Sequence, residues 1–177
     1  SRRFFLPPGL ELGPHQFFTT CDDHKIHFRS VGSPSAPNKA VFVMGLMGVM
    51  RGWYRQIDYF LERGSEFECV FLDNRGIRFS DGPKGPYSTQ MMARDVVELV
   101  DKREGWSKYA VVGISMGGMI AQHVALLAGE ERITSLILLC TRAQSTWWSR
   151  CPSMSALWNF MYRYCFIDKT DAKTHAA

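Results

Sequence analysis

The sequence lacks any long apolar segment and any concentration of charge. Its longest apolar candidate, residues 40–50, is interrupted by Gly45 and Gly48 and falls short of the ~18 residues that a membrane span requires. The 21 Lys and Arg residues against 17 Asp and Glu are scattered, without a basic stripe or a nucleic-acid reader motif. We therefore expect no transmembrane segment and no nucleic-acid partner.

Cysteine is scarce and irregularly placed. The chain has five cysteines and no C-x-x-C pair, which argues against a disulfide framework or a zinc site. No His, Cys and Asp cluster has the spacing of metal ligands, so we expect neither a metal nor a cofactor. Cys69 and Cys140 lie in apolar runs typical of core strands, where a free cysteine packs as a small hydrophobe. With no signal-peptide pattern near Ser1, this usage favours the cytoplasm.

The sequence does contain alternating strand and helix patterns, within a composition that is 46% hydrophobic and 21% charged. Two antiparallel strands are expected over residues 17–21 and 25–31, and four near-continuous apolar runs follow at 40–44, 69–73, 109–114 and 133–140. Such runs are typical of parallel strands buried on both faces. Apolar spacing predicts helices over 54–63, 89–103 and 115–127. The expected fold is α/β, with a doubly wound and mostly parallel sheet.

Residues 113–117 read Gly-Ile-Ser-Met-Gly and match G-x-S-x-G, between a strand pattern and a helix pattern. In that setting the serine lies on a tight turn that projects its hydroxyl above the sheet edge. Gly113 and Gly117 have no Cβ, so strand and helix can approach closely. The following helix directs N–H groups and partial positive charge at a developing oxyanion. Ser115 is therefore the candidate nucleophile, and the alternative is a glycine-flanked turn without chemistry.

With this motif the chain resembles the α/β-hydrolase superfamily, and three further segments carry the same resemblance. Residues 43–48, Val-Met-Gly-Leu-Met-Gly, are similar to the family's oxyanion turn, with Met44 where histidine is frequent. Residues 72–80, Leu-Asp-Asn-Arg-Gly-Ile-Arg-Phe-Ser, are similar to D-x-R-G-x-G-x-S, with Arg78 in place of the second glycine. Residues 92–96 resemble the helix before the nucleophile strand. The order and spacing of these segments are more specific than any one motif.

The resemblance implies a serine hydrolase that attacks a carboxylic ester or related acyl bond through an acyl-enzyme on Ser115. It implies that the backbone N–H groups of Leu46 and Met116 form the oxyanion hole, and that the substrate is a small, apolar acyl compound. Relatives that open epoxides or displace halide carry aspartate at the nucleophile position, so Ser115 argues against both. Structural roles are implied for three charged residues: Asp73, Arg75 and Asp95.

The acid and the histidine of the triad are expected after two further strands and a cap insertion, and no such strands follow residue 141. We therefore expect a C-terminally truncated hydrolase. Residues 1–143 would form the N-terminal part of the core, with its last strands missing, and the aromatic-rich residues 144–177 the start of a helical cap. The strand 133–140 would then be an exposed apolar sheet edge. Little or no turnover is expected of this chain alone.

The remaining histidines and acids are given non-catalytic interpretations. Those in the last residues occur in the right order but in a short polar tail, and we expect them at the surface: Asp168, Asp171 and His175. His123 is expected to pack on a helix. Loop or strand-edge positions are expected for the three that precede the nucleophile: His15, His24 and His27. The alternative to a hydrolase is a catalytically inactive relative that binds a ligand or partner. A lipid-surface role, resting on residues 154–166, is a weaker third hypothesis.

Overall fold

The computed structural model describes residues 15–143, and these form one sheet with helices against it. The strands are β1 Gln16–Thr19, β2 Lys25–Gly32, β3 Asn38–Val43, β4 Phe67–Leu72, β5 Tyr109–Ile114 and β6 Ile133–Leu139. The helices are α1 Tyr54–Leu61, α2 Thr89–Asp101 and α3 Met116–Ala128, and a 3₁₀ turn, Met50–Trp53, precedes α1. The predicted elements are confirmed, with ends displaced by a few residues. The proposed cap, residues 144–177, lies outside the described range.

The sheet has strand order β1-β2-β4-β3-β5-β6. β1 and β2 form an antiparallel hairpin, and β2 pairs antiparallel with β4. The other neighbours, β4 with β3, β3 with β5 and β5 with β6, are parallel. The mostly parallel α/β architecture is thus confirmed. Because the carboxyl ends of parallel strands meet at one edge, the loops after β3, β4 and β5 gather there.

Helices cover both faces of this sheet. On one face α2 and α3 pack over Val41, Val43 and Val111, and on the other α1 packs over Phe42 and Phe71. Helix α2 buries a stripe that contains Met92, Val96, Leu99 and Val100. Ser88 caps this helix, since its hydroxyl accepts a hydrogen bond from the N–H of Met91 at 3.2 Å.

Apolar spacing places Met119, Ile120, His123 and Leu127 of helix α3 on one face, but that face is only partly buried. Ile120, Ala121 and Val124 are buried, whereas Leu127 is 44% exposed. The helix is apolar almost all round, so periodicity alone does not identify its buried face. The small residues Gly117, Gly118 and Ala121 decide it, because they let the helix lie close to the sheet.

The last described strand, β6, is an edge strand with exposed side chains. Leu136, Ile137, Leu138 and Leu139 are each more than one-third exposed. The prediction that this run is buried on both faces is therefore wrong for the described residues, and the expected exposed apolar edge is found. The strand still pairs with β5 along its length, because parallel backbone hydrogen bonds need no cover on the faces.

The two cysteines that were expected in core strands behave differently. Cys69 is fully buried in β4, and burial raises the pKa of its thiol to about 12. Cys140 follows β6 with a φ of 48° and is exposed, so its assignment to the core is wrong. Among the helices of residues 15–143, none is both long and apolar enough to cross a membrane.

Candidate active site

Ser115 occupies a sharp, strained corner between β5 and α3. Its backbone has a φ of 55° and a ψ of −121°, a region that residues with a Cβ avoid. The corner is held by hydrogen bonds from both sides. The Ser115 N–H donates to the carbonyl of Leu139 at 2.8 Å, and its carbonyl accepts from the Gly118 N–H and the Thr141 hydroxyl. The side chain is exposed at the carboxyl edge of the sheet.

Glycines make this corner possible because the backbones around it nearly touch. A Cβ placed on Gly113 would lie 2.2 Å from the carbonyl oxygen of Gly117. A Cβ on Gly117 would lie 2.3 Å from the carbonyl oxygen of Val43. Real Cβ contacts are not this short, so both positions need glycine. The backbones of β3, β5 and α3 are therefore in close contact directly beneath Ser115.

The turn after β3 lies against the serine. A Cβ on Gly45 would be 3.1 Å from the Ser115 Cβ and 3.6 Å from its Oγ, so Gly45 lies in contact with the serine. Leu46 is the next residue along the chain. The turn is closed by a bond from the Gly48 N–H to the Gly45 carbonyl. Asn74 also ties it to β4, since its side-chain amide donates to the Met44 carbonyl at 2.8 Å.

Among the described residues, neither of the two predicted oxyanion donors has a backbone acceptor for its N–H group. Met116 is the first residue of α3, and the first N–H groups of a helix have no intrahelical acceptor. Within residues 15–143, none of the hydrogen bonds outside the helices and strands uses the Leu46 N–H. Their convergence on one oxygen stays a prediction.

Asp73, directly after β4, connects the turn after β3 to the sheet. It is fully buried, and its Oδ1 accepts from the N–H of Met50, directly beyond the turn, at 2.7 Å. Its Oδ2 lies 2.8 Å from Nδ1 of His27. Asp73 therefore fixes the far end of the turn, in agreement with the structural role that the resemblance implies.

Arg75 is the centre of a buried ionic cluster below the same loop. Its guanidinium binds Asp95 of α2 and Asp22 of the β1–β2 turn, and both Arg75 and Asp95 are at most 3% exposed. The bonds from Arg75 hold the pKa of the Asp22 carboxyl well below its usual range. The cluster joins three separate segments and does not reach Ser115, so its role is structural.

His27 lies beside the carboxyl end of β4, a position that the sequence analysis did not predict. It was expected at a loop or strand edge, yet it is 3% exposed in β2, an inner strand. Its Nε2 lies 2.7 Å from Nδ1 of His15, so Asp73, His27 and His15 form a hydrogen-bonded row. Only the position of β2 beside β4 brings His27 to Asp73, and neither residue's local sequence reveals that pairing.

The triad acid and base are not among the groups that this corner brings together. Asp168, Asp171 and His175 lie outside the described residues. His123 is half-buried on α3, as expected of a packed helix histidine. Within residues 15–143, no group of three His, Cys, Asp or Glu side chains is arranged to hold a metal ion.

Because the backbone of Ser115 is strained, two substitutions at this position should differ in their free energy of unfolding. Ser115→Gly is expected to raise the free energy of unfolding by about 1 kcal/mol relative to Ser115→Ala, because glycine adopts a φ of 55° without penalty. Urea denaturation of both variants measures it. Equal stability of the pair would mean that the corner carries no strain.

Several curated proteins match this sequence over only part of their own length. A candidate non-heme bromoperoxidase of Mycobacterium tuberculosis, BpoC, is 35% identical over 105 residues, covering 59% of this chain and 38% of that protein. The 3-oxoadipate enol-lactonase 2 of Acinetobacter baylyi is 29% identical over 125 residues, covering 71% of this chain and 45% of that protein. Epoxide hydrolase 4 of Mus musculus is 30% identical over 131 residues, covering 72% and 35%. The chain thus spans less than half the length of these curated relatives.

Solved structures agree with the fold. The esterase EaEST from Exiguobacterium antarcticum superposes with a TM-score of 0.63 and 28% identity, covering 71% of this chain and 45% of that one. A family model described as the alpha/beta hydrolase fold matches residues 41–168. That match covers most of the sequence, including the turn after β3, the loop at Asp73 and the corner at Ser115. The chain therefore belongs to the α/β-hydrolase family.

Proposed function

We propose that this protein is a serine hydrolase in which Ser115 attacks a carboxylic ester or related acyl bond. The observation that carries the proposal is the backbone of Ser115, held at φ 55° on the carboxyl edge of the sheet with its side chain exposed. Strained non-glycine residues are retained where their geometry serves function. A buried core serine would gain nothing from such a conformation.

The surroundings of Ser115 suit an acyl-transfer reaction. Attack on an ester carbonyl places negative charge on its oxygen, and preorganised N–H donors lower the energy of that state. We assign the donors to Leu46 and Met116, the first on the turn that touches Ser115 and the second at the start of α3. The resulting acyl-enzyme would then be hydrolysed by water, with the original carboxylate released.

The identity of the nucleophile favours acyl substrates over epoxides. Epoxide hydrolases of this family use an aspartate at the corresponding position, and this chain has serine there. A similarity to Epoxide hydrolase 4 therefore supports the fold and leaves the reaction to be assigned from Ser115. The related enol-lactonase and esterase names are consistent with an ester or lactone carbonyl.

The exposed residues beside the corner favour an apolar acyl group. Leu46 is 48% exposed and Met47 44% exposed on the turn next to Ser115. Large apolar side chains that are exposed next to a reactive group commonly contact a ligand. We therefore propose a small, apolar acyl substrate.

Serine activation needs a base, because a free hydroxyl is a poor nucleophile. We assign this base to a histidine, oriented by an acid, that the described residues do not supply. The competing proposal is a catalytically inactive relative that keeps the corner and binds a ligand. It is favoured if the protein carries no such histidine near Ser115.

A fluorophosphonate probe distinguishes the two proposals. Such probes phosphonylate only an activated serine. The protein with its natural termini is expected to be labelled, with the mass shift on the peptide that contains Ser115, and Ser115→Ala is expected to show no labelling. Pre-incubation with an apolar ester should slow labelling. A folded wild-type protein that stays unlabelled would favour the inactive relative.

A further inference from the structure

The end of β6 holds the backbone of Ser115 on both of its polar groups. Leu139, the last residue of the strand, accepts a hydrogen bond from the Ser115 N–H at 2.8 Å. Two residues later, the Thr141 hydroxyl donates to the Ser115 carbonyl at 2.7 Å. These two bonds join the Ser115 corner to a segment that is distant from it in sequence, and the second of them is made by a side chain.

Cys140, between these two residues, has a backbone conformation that residues with a Cβ disfavour. Its φ is 48°, in the left-handed region. At this residue the chain leaves the extended form of β6, while the Leu139 carbonyl and the Thr141 side chain both reach Ser115. Residues with positive φ therefore lie on both sides of these hydrogen bonds. Such strain is concentrated at functional sites, where the surrounding structure maintains it.

The Thr141 side chain is closely fitted against the start of α3. A Cβ on Gly118 would lie 2.5 Å from the Thr141 Cβ and 2.6 Å from its Oγ1, so only glycine leaves room for this threonine. Threonine is also stiff about χ1, because two heavy atoms branch from its Cβ. The Gly118 N–H donates to the same Ser115 carbonyl at 3.0 Å. The hydroxyl of Thr141 is therefore held against a carbonyl that α3 also fixes.

The Ser115 carbonyl belongs to the peptide unit whose N–H is that of Met116. A peptide unit is planar, and in its trans form the C=O and the N–H point in opposite directions. The bonds that fix the Ser115 carbonyl therefore also fix the direction of the Met116 N–H, which we assign to the oxyanion hole. A hydrogen bond to the carbonyl oxygen also polarises the unit, so that its N–H becomes a stronger donor.

We propose that Thr141 is a positioning residue of the oxyanion hole. Its hydroxyl orients and polarises the Ser115–Met116 peptide, so that the Met116 N–H is preorganised to bind the oxygen that becomes negative in the transition state. This inference rests on the proposed serine hydrolase function. Because the donor is needed most as that charge develops, loss of the Thr141 hydroxyl should lower kcat and leave KM nearly unchanged.

Four variants of the protein with its natural termini test this role. Thr141→Val keeps the shape of the side chain without the hydroxyl, and Thr141→Ala is a second variant without it. Thr141→Ser keeps the hydroxyl and lacks only the methyl group. The control, Thr134→Val, makes the same exchange at an exposed residue of β6. Hydrolysis of a short-chain aryl ester gives kcat and KM, with active sites counted by fluorophosphonate labelling. The ¹³C NMR shift of the Ser115 carbonyl reports the hydrogen bond without turnover.

The expected result is a fall in kcat per active site of about tenfold in Thr141→Val and Thr141→Ala, which is the usual effect of one lost hydrogen bond. KM should stay within about twofold of the wild-type value. Thr141→Ser should recover most of kcat, and Thr134→Val should match the wild type. The Ser115 carbonyl resonance should move upfield in the two variants that lack the hydroxyl and in neither of the others.

The outcomes that contradict the inference differ from those that contradict the hydrolase proposal. An active wild type whose kcat per active site is unchanged in Thr141→Val or Thr141→Ala would overturn the role of Thr141 alone. An equal fall in Thr141→Ser, or a loss confined to KM, would also overturn it, because packing or substrate binding would then be responsible. A folded wild type with neither turnover nor labelling would contradict the proposed function itself, and the inference would fail with it.

Discussion

Ser115→Ala is expected to lower kcat for hydrolysis of a short-chain aryl ester by about 10⁴- to 10⁶-fold in the protein with its natural termini. Alanine removes the only oxygen of this side chain, so the proposed nucleophile is lost. The backbone of residue 115 keeps its strained φ in this variant, since alanine has a Cβ as well. KM should change little, because the oxyanion turn and the apolar residues beside it remain.

A matched control separates chemistry from packing in this test. His123→Ala changes a half-buried residue two turns along the same helix α3 and should leave kcat within about threefold of wild type, since a substitution there acts on packing and not on the reacting groups. Steady-state kinetics on both variants, with circular dichroism to establish folding, give the comparison. If Ser115→Ala retained more than a few per cent of the activity, Ser115 would not be the nucleophile.

The largest effect on stability is expected at Arg75. Its removal, as Arg75→Ala, leaves the Asp95 carboxylate buried at 2% exposure without its counter-charge. Breaking a buried ion pair in this way costs about 3–5 kcal/mol. Urea unfolding followed by tryptophan fluorescence measures it. The control Asp22→Asn removes the more exposed partner, 42% exposed, and should cost less than about 1 kcal/mol.

The destabilisation of Arg75→Ala should depend on pH. Burial raises the pKa of Asp95, and without Arg75 nothing opposes that effect. A carboxyl whose pKa is higher in the folded state binds its proton more tightly there, so protonation favours folding. The loss in Arg75→Ala is therefore greatest above the folded-state pKa of Asp95 and shrinks as the pH falls through it. A loss that grew on acidification would contradict this account of the cluster.

The sequence was sufficient for the fold because its strands and helices carry strong local patterns. Continuous apolar runs marked β3, β4 and β5, and the G-x-S-x-G motif between a strand and a helix marked the corner at Ser115. The turn at Gly45 and the loop at Asp73 followed from their resemblance to the family. In each case a short segment held enough information by itself. At the Ser115 corner and the Gly45 turn this is because nearby glycines set the backbone conformation.

Features that depend on distant contacts were not predictable in the same way. His27 looked like a strand-edge residue, since nothing near it in the sequence shows that β2 inserts beside β4. Arg78 was recognised only as a replacement for the second glycine of the family motif, and its positive φ of 53° follows from the shape of the folded loop. For α3, uniform apolar character concealed which face packs. The apolar run of β6 suggested burial on both faces, whereas its place at an exposed sheet edge was expected from the strands that the family has beyond it.

The most direct measurement of the central claim is a crystal structure of the protein after reaction with a phosphonate ester. The account predicts a covalent bond from Ser115 Oγ to phosphorus, with the phosphoryl oxygen about 2.7–3.1 Å from the backbone nitrogens of both Leu46 and Met116. An adduct on another residue, or a phosphoryl oxygen directed away from both nitrogens, would contradict it.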